Sequence, residues 1–384
     1  MGGPAAPGDE RRFSYRRHLP SDADTVSSAN AGAVSVTGGE GSLHGVKLDP
    51  LGDVRWGEFV STQPDASIFH HPEWLALIRR QYGYRFSAWC VLDGAGAIVA
   101  GLPVARIDSW LTGRRLVAVP FSDECSPLIE PRRPRVAEAL AQLIHSAQAK
   151  AGVPMQIRGP VVGLQDARSS SHFLQHRLEL AGPAQDVMKS AKPAIRRGVA
   201  KAQREALITE RATGGDALED FYRLHLRTRH RQGVPTQPKR FILALAELFQ
   251  RQLGFVLLTR HHGRAIAAAV FLIFNGRLVY KYGASDERFL SLRPNNLLFY
   301  EAIRWGTENS MRELDFGRTD TGNTGLASFK RGWGSREQTL SYTYLGTEEP
   351  PASRRSERIL STVIRATPPS AGRAIGAVLY RHVG

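Results

Sequence analysis

The feature that most narrows the fold is the run from Ala265 to Phe274, apolar at every position and bracketed by Arg264 and Arg277. A bilayer needs about 20 such residues, so this run is too short to span one and must be covered by protein. An apolar stretch of this length between turn residues reads as a strand buried on both faces. Gly263 and Gly276 stand at its two ends. The flanking stretches Phe255 to Arg260 and Arg277 to Gly283 therefore read as its hairpin partners.

The first half repeats the theme. Ser87 to Leu92, Ala97 to Ile107 and Arg115 to Phe121 are β-type runs, with Gly94 and Gly96 at the first turn. Val136, Leu140, Leu143, Ile144 and Ala147 then recur at helical spacing up to Gly152, and Met155 to Pro160 reads as a strand. Further helices are expected from Pro72 to Arg80, Lys192 to Ala206 and Pro238 to Gln252, and after Pro294. Another carries Leu218, Phe221, Tyr222 and His225, opened by a capping box of Asp216 and Glu219. Glu313 to Gly317 and Gln338 to Leu345 close the set as strands. Hairpins with interspersed helices, seen twice, give an α+β architecture.

Residues 1–45 lack large apolar groups and are expected to be a disordered tail. The expected organisation continues with a first domain at 46–180, a second at 181–347 and a basic tail at 348–384. In that tail Ile375, Val378 and Leu379 could line one side of a helix. Such a helix would lie on an anionic membrane or pack on the body of the chain, and the sequence leaves both open.

Charge and composition exclude some functions. With 51 Lys and Arg against 36 Asp and Glu the net charge is +15, which favours nucleic acid, an anionic membrane or a phosphorylated substrate as partner. An RNA-binding reading lacks the aromatic-and-basic pattern of an RNA-recognition sheet. Two cysteines make neither a disulfide framework nor a zinc site, and the 12 histidines show no ligand spacing, so no metal is expected. The N-terminus has no signal-peptide core, and a cytoplasmic location is expected, open to contact with the inner membrane face.

Five motifs in the second half occur in a telling order. They are Phe221-Tyr222-x-Leu224-His225-x-x-Thr228-Arg229-x-x-x-Gly233-x-Pro235, Gly283-Ala284-Ser285, Pro294-Asn295-Asn296-Leu297-Leu298, Asp315-Phe316-Gly317-Arg318 and Phe329-Lys330-x-x-Trp333-Gly334. Together they resemble the FemAB-type branch of the GNAT-like transferases, and Pro120-Phe121-Ser122-Asp123 is a weaker match in the first half. The resemblance covers about residues 50 to 347. It implies tandem GNAT-like domains with mixed, mostly antiparallel sheets. It also implies acyl or aminoacyl transfer from an activated carrier to an amine or hydroxyl of a peptidoglycan or polysaccharide precursor. No tightly bound cofactor is implied; the donor, aminoacyl-tRNA or acyl-CoA, would be a co-substrate.

Under that resemblance Lys330, beside Phe329, would stabilise the oxyanion of the tetrahedral intermediate. The competing reading is a surface lysine flanking a Gly-Trp-Gly turn. Arg229 and Arg318 carry guanidinium forks suited to phosphate, although Arg229 also lies in a basic run that would suit a solvated helix face. Asp315 could orient Arg318 or Lys330 through an ion pair or form a structural salt bridge. Asp123 is a candidate general base by loop position, or an exposed loop acid. Tyr282, Asn295 and Asn296 could contact the acceptor. A core role for Tyr282 and a capping role for Asn295 fit equally well. Arg260-x-x-Gly263-x-Ala265 mimics a CoA pyrophosphate loop. It joins two strands rather than a strand and a helix N-terminus, so it reads as a turn.

Overall fold

The apolar run lies deep in the protein as β11. The computed structural model describes residues 35–36, 42–130, 134–347 and 361–383. In the first half these are β1 (Ser35–Val36), β2 (Leu43–Leu48), α1 (Val54–Thr62), α2 (Pro72–Tyr82), β3 (Arg85–Leu92), β4 (Ile98–Ser109), β5 (Gly113–Val117), β6 (Leu128–Ile129), α3 (Pro134–Ala151) and β7 (Met155–Ile157). Then come β8 (Arg168–Glu179), α4 (Ala184–Lys189), α5 (Pro193–Arg204), β9 (Ile208–Ala212), α6 (Gly215–Gln232), α7 (Lys239–Gln250), β10 (Gly254–His261), β11 (Arg264–Phe274) and β12 (Arg277–Ser285). The chain continues through α8 (Pro294–Glu308), β13 (Glu313–Asp320), α9 (Thr324–Arg331), β14 (Arg336–Leu345) and a C-terminal helix, Pro369–Val383.

Alternation along β11 explains its continuous apolarity. Ala268, Val270 and Leu272 enter one core with Leu218 and Phe221 of α6 and Phe241 of α7. Ala267, Ala269 and Phe271 enter a second core, on the opposite face, with Ile195 of α5 and Phe299 and Ile303 of α8. Each fully buried Val, Leu, Ile or Phe among them contributes about 1.5–3 kcal/mol. The first core also holds Trp74, Leu102 and Ile144 of the first half, so one apolar cluster runs across both halves.

The strands form one sheet, ordered β1-β2-β3-β4-β5-β7-β14-β8-β13-β12-β11-β10-β9, with β6 on β4. Pairing is antiparallel except at two places, β5 with β7 and β12 with β13. A helix crosses over at each, α3 at the first and α8 at the second, as a parallel connection requires. The mixed and mostly antiparallel α+β fold is borne out, with the crossover repeated once in each half.

Several local expectations need correction. The helix expected to open on a capping box starts at Gly215 with Gly214 as N-cap and no side-chain cap. Asp216 therefore sits in the first turn, where its charge meets the helix dipole. The expected tail at 1–45 falls mostly outside the described residues, yet Leu43–Leu48 is already a strand. Its inward position Gly45 lies against Leu143 of α3, a contact made by backbone rather than by an apolar side chain. Of the elements that had not been expected, β8 and α9 bear on the site. The described part of the tail packs on the body. Tyr84 Oη donates to the carbonyls of Tyr380 and Arg381, and Arg115 donates to that of His382. Residues 348–360 lie outside the described residues. Among the described residues no helix is long and apolar enough to cross a membrane.

Candidate active site

The site begins where two neighbouring strands part. β12 and β13 pair only from Arg277 to Val279 against Glu313 to Asp315. Beyond that each strand carries an irregularity, β12 opposite Val270 and Phe271, and β13 between Asp315 and Arg318. Bulges of this kind re-aim side chains. In β12 the extra residue is Lys281, between Tyr280 and Tyr282. In β13 the chain turns through Gly317 at φ +68°, where an added Cβ would meet the Tyr280 carbonyl at 3.0 Å and Asp123 Oδ2 at 3.2 Å. Strand β12, strand β13 and the loop carrying Asp123 thus meet on one glycine.

Lys330 projects onto that junction from α9, a helix capped by the Asn323 side chain on the Leu326 N–H at 3.1 Å. Its Nζ donates to the Gly317 carbonyl at 2.8 Å and the Arg318 carbonyl at 3.3 Å. The residue is only 2% exposed. Burial pulls its pKa down to about 8, while the carboxylates of Asp123 and Asp315 act in the opposite direction. An ammonium has three donors. Two are fixed on backbone carbonyls, and among the described residues the third has no hydrogen-bond partner.

The space beside it is a cleft of about 260 Å³ walled by Tyr280, Gly283, Ser285, Asn295, Phe329 and Lys330 among others. Tyr280 is a neutral phenol, its pKa raised to about 12 by burial. Its hydroxyl lies so close to Gly283 that a Cβ there would stand 1.7 Å from it. Glycine in the Gly-Ala-Ser motif is what lets the phenol lie across the cleft floor.

Behind Gly317 lies a buried ionic layer. Lys281 Nζ donates to Asp123 Oδ1 at 3.2 Å and sits 5.0 Å from the ring centre of Phe69. Burial lowers the Lys281 pKa, with Asp123 countering it. Asp315 accepts from the Gly317 N–H at 2.8 Å and from Gln175 Nε2 at 2.9 Å, with Arg177 Nε 3.7 Å away. Burial pushes its carboxyl up to about 6, against the pull of Arg177 and the Gly317 N–H. Glu124 completes the layer, accepting from Arg177 at 2.7 Å. Lys281, Glu124, Gln175 and Arg177 had gone unnoticed in the sequence.

The other expected site residues are dispersed. Asp315 forms no ion pair with Arg318 or Lys330; the Gly317 turn directs its carboxylate to Gln175 and Arg177 instead. Asn295 faces the cleft, but Asn296 points away and packs on α5, where a Cβ on Gly198 would stand 2.7 Å from its Nδ2. Arg229 is tied to the tail, with Nε donating to the Pro235 carbonyl at 3.2 Å and a terminal nitrogen to Tyr380 Oη at 3.1 Å. Tyr282 packs among His225, Phe241 and Lys281, and burial raises its pKa well above the usual phenol value. Arg318 leaves on the other side of β13. It stacks 4.4 Å over Phe173 and donates to Tyr342 Oη at 3.0 Å. The rejected CoA motif is a hairpin turn between β10 and β11, with His262 and Gly263 both at positive φ.

Among the described residues no cluster of His, Cys, Asp and Glu could hold a metal ion.

A family model described as an acetyltransferase (GNAT) domain matches residues 189–331, from the last residue of α4 to the end of α9. Over 86 residues the chain is 31% identical to a lipid II:glycine glycyltransferase of Staphylococcus haemolyticus (strain JCSC1435). That stretch is 21% of this chain and 20% of the relative, so the match spans about a fifth of the relative's length. The crystal structure of FemX superposes with a TM-score of 0.62 at 14% identity, covering 82% of this chain and 100% of that one. The C-terminal domain (DUF2156) of a protein from Agrobacterium fabrum, named as a lysylphosphatidylglycerol synthetase, gives 0.50 at 12% identity, covering 81% and 95%. At such identities the structural likeness shows the fold alone. With the ordered motifs, these matches bear out the resemblance to the FemAB-type branch of the GNAT-like transferases.

Proposed function

Starting from a chain that carries a GNAT-type acetyltransferase domain, we propose that it moves an acyl or aminoacyl group from an activated carrier to an amine or hydroxyl of a cell-envelope precursor. The observation that carries this reading is the Lys330 ammonium, anchored by two carbonyls with one donor left for the cleft. Attack on the carbonyl of an ester or thioester forms a tetrahedral oxyanion. A preorganised cation in a water-poor cleft stabilises that charge far more than water does. As the intermediate collapses, the carrier oxygen or sulfur leaves and the nucleophile's proton must be taken up. Asp123 is the carboxylate proposed for that role, its side chain 18% exposed against 9% for Asp315. Lys281 would hold Asp123 in position. Tyr280 and Asn295 would orient the bound group, so that most of the rate gain comes from positioning and electrostatics.

An envelope precursor implies action at the cytoplasmic side of the membrane. The donor is proposed as aminoacyl-tRNA or acyl-CoA. The hairpin at Arg260 and Gly263 leaves no CoA pyrophosphate loop in a strand-to-helix setting there, which favours the tRNA donor. The basic helix α5, with Arg196, Arg197, Lys201 and Arg204, supports the same choice. The test is direct. The full chain is incubated with charged tRNA or acetyl-CoA and extracted envelope precursors, and products are read by mass spectrometry. A mass gain of one amino acid, dependent on charged tRNA, supports the reading. A gain of an acetyl group from acetyl-CoA would replace the donor. No modified precursor with either donor would leave a non-catalytic scaffold as the account.

A further inference from the structure

The outer face of the C-terminal helix is apolar where a helix packed on a body is ordinarily polar. Its inner side is seated firmly. A Cβ on Gly376 would stand 1.9 Å from the Thr236 carbonyl oxygen, and Tyr380 Oη donates to the Pro235 carbonyl at 3.3 Å. The opposite arc, open to solvent, carries Ala374, Ala377 and Val378 between Arg373 and Arg381. No acidic residue occurs anywhere from Pro369 to Val383.

The turn between β4 and β5 extends this surface. Ser109 Oγ accepts from the N–H groups of Leu111 and Thr112 at 3.1 and 2.9 Å. Its hydroxyl proton is then free for His382 Nδ1, 3.0 Å away, and Thr112 Oγ1 donates to the His382 carbonyl at 2.6 Å. The turn and the end of the helix are thus locked together. Trp110 meets the His382 ring edge-on at 5.3 Å, yet it is 82% exposed, more than any other large apolar residue among those described. Leu111 beside it is exposed too, and Val378 stands one helical turn before His382. Trp110, Leu111 and Val378 form one apolar patch, edged by the exposed Arg114, Arg373 and Arg381. Asp108, just before the turn, already has its charge matched by Arg85 at 3.0 Å and Arg106 at 3.1 Å.

The chemistry of the patch selects its occupant. An indole held out in water, with aliphatic neighbours and an arginine rim, fits a surface that is anionic on top and apolar a few ångströms below. A nucleic acid would leave Leu111 and Val378 without a role. A stable protein interface takes about 20–30 residues a side, far more than this patch supplies. We propose that the Trp110–Leu111 turn and the outer face of the C-terminal helix dock on an anionic phospholipid surface, with the indole in the headgroup layer and the arginines on lipid phosphates. The inference goes beyond the transfer reading and stands whether or not Lys330 takes part in chemistry.

The experiment is co-sedimentation of the full chain with vesicles of equal parts phosphatidylglycerol and phosphatidylcholine, and with vesicles of phosphatidylcholine alone. Saturable binding to the anionic vesicles is expected, weakening as salt rises. Trp110→Ser should weaken it about tenfold or more. Leu111→Ser, also outside the core, should act in the same direction, and Arg381→Gln should cost about fivefold. Ile208→Ser, at an exposed apolar position on β9 at the far edge of the sheet, should leave binding unchanged. Tryptophan emission reads the same event, since Trp56, Trp74, Trp89 and Trp333 are fully buried and Trp305 is half-buried. Anionic vesicles should shift emission to the blue in the parent and not in Trp110→Ser. No binding to anionic vesicles would overturn the proposal. So would binding that Trp110→Ser leaves unchanged, because that is bulk charge rather than a docking surface. A dimer dispersed by Trp110→Ser, without vesicle binding, would overturn it in favour of a second copy of the chain. Because the readout needs no turnover, a chain that binds vesicles through Trp110 but transfers no group refutes the transfer reading and leaves this one standing.

Discussion

Lys330→Met removes a buried charge while keeping much of its volume. Burial lowers the pKa of this amine from 10.5 to about 8. A tenfold change in proton affinity is worth about 1.4 kcal/mol, so keeping the cation buried costs about 3 kcal/mol near neutral pH. Methionine removes that cost but strips donors from the carbonyls of Gly317 and Arg318. Unsatisfied buried acceptors cost about 1–3 kcal/mol. The two effects nearly cancel at pH 7, where the variant should lie within about 2 kcal/mol of the parent. They separate with pH. A lysine with a folded pKa below its unfolded one holds its proton more tightly when unfolded, so the parent gains stability as pH rises from about 8 to about 10.5. Urea titrations at pH 7 and at pH 10.5 should show the parent gaining about 3 kcal/mol on the variant. Turnover by the folded variant should fall about 10²-fold or more. The parent's rate should drop above pH about 8, as the cation is lost, and the variant's residual rate should show no such limb. A stability difference that stays constant with pH would refute the burial argument. A parent rate flat through pH 8 to 10 would refute the oxyanion role.

Three other outcomes follow from the same geometry. Gly317→Ala forces a side chain into positive φ against the Tyr280 carbonyl and Asp123, and should lower stability by about 1–3 kcal/mol in denaturant titration. Asp315 has a folded pKa of about 6, raised from 3.8, so the parent should lose about 3 kcal/mol as pH climbs through that window while Asp315→Asn stays flat, as read by pH-dependent unfolding. Tyr380→Ala removes the hydroxyl that holds Arg229, and limited proteolysis should then cut the C-terminal helix faster without a change in the core fragments.

The strand-and-hairpin frame was legible because β11 is apolar on both faces and glycine marks its ends. Position in the sheet was harder to read. Strand β8, with Ser169, Ser170, Ser171 and His172, carries little apolar signal, yet it joins β13 to β14 through backbone pairing that side chains do not advertise. Without it neither Gln175 nor Arg177 could be placed behind Asp315. Lys281 was hidden for a related reason. Between Tyr280 and Tyr282 in an alternating strand it reads as an outward lysine, and only the bulge in β12 turns it toward Asp123. Phe329 and Lys330 were visible as a pair. The helix beneath them was not, since Thr324, Gly325 and Ser328 are weak helix formers and Asn323 supplies the cap. Arg229 shows the reverse failure. Its motif was legible, but the group that engages it is Tyr380, some 150 residues away and invisible to local reading.

The bulge in β13 links the two sides of the strand physically. The carbonyls of Gly317 and Arg318 hold the Lys330 ammonium on one side, while the Arg318 guanidinium stacks on Phe173 on the other. Tyr342 binds that guanidinium and donates to the Asp123 carbonyl at 2.7 Å. Asp123 in turn faces Lys281 and the Gly317 turn. A shift of the Arg318 side chain would therefore act on the peptide that fixes Lys330 and, through Tyr342, on the loop that carries Asp123. Coupling of this kind needs no long pathway, because the shared element is a single irregular turn of backbone. Lys330→Met and Arg318→Gln should consequently be non-additive in turnover, and a double-mutant cycle measures the link. Rate losses that simply multiply would mean that the two sides of β13 work independently.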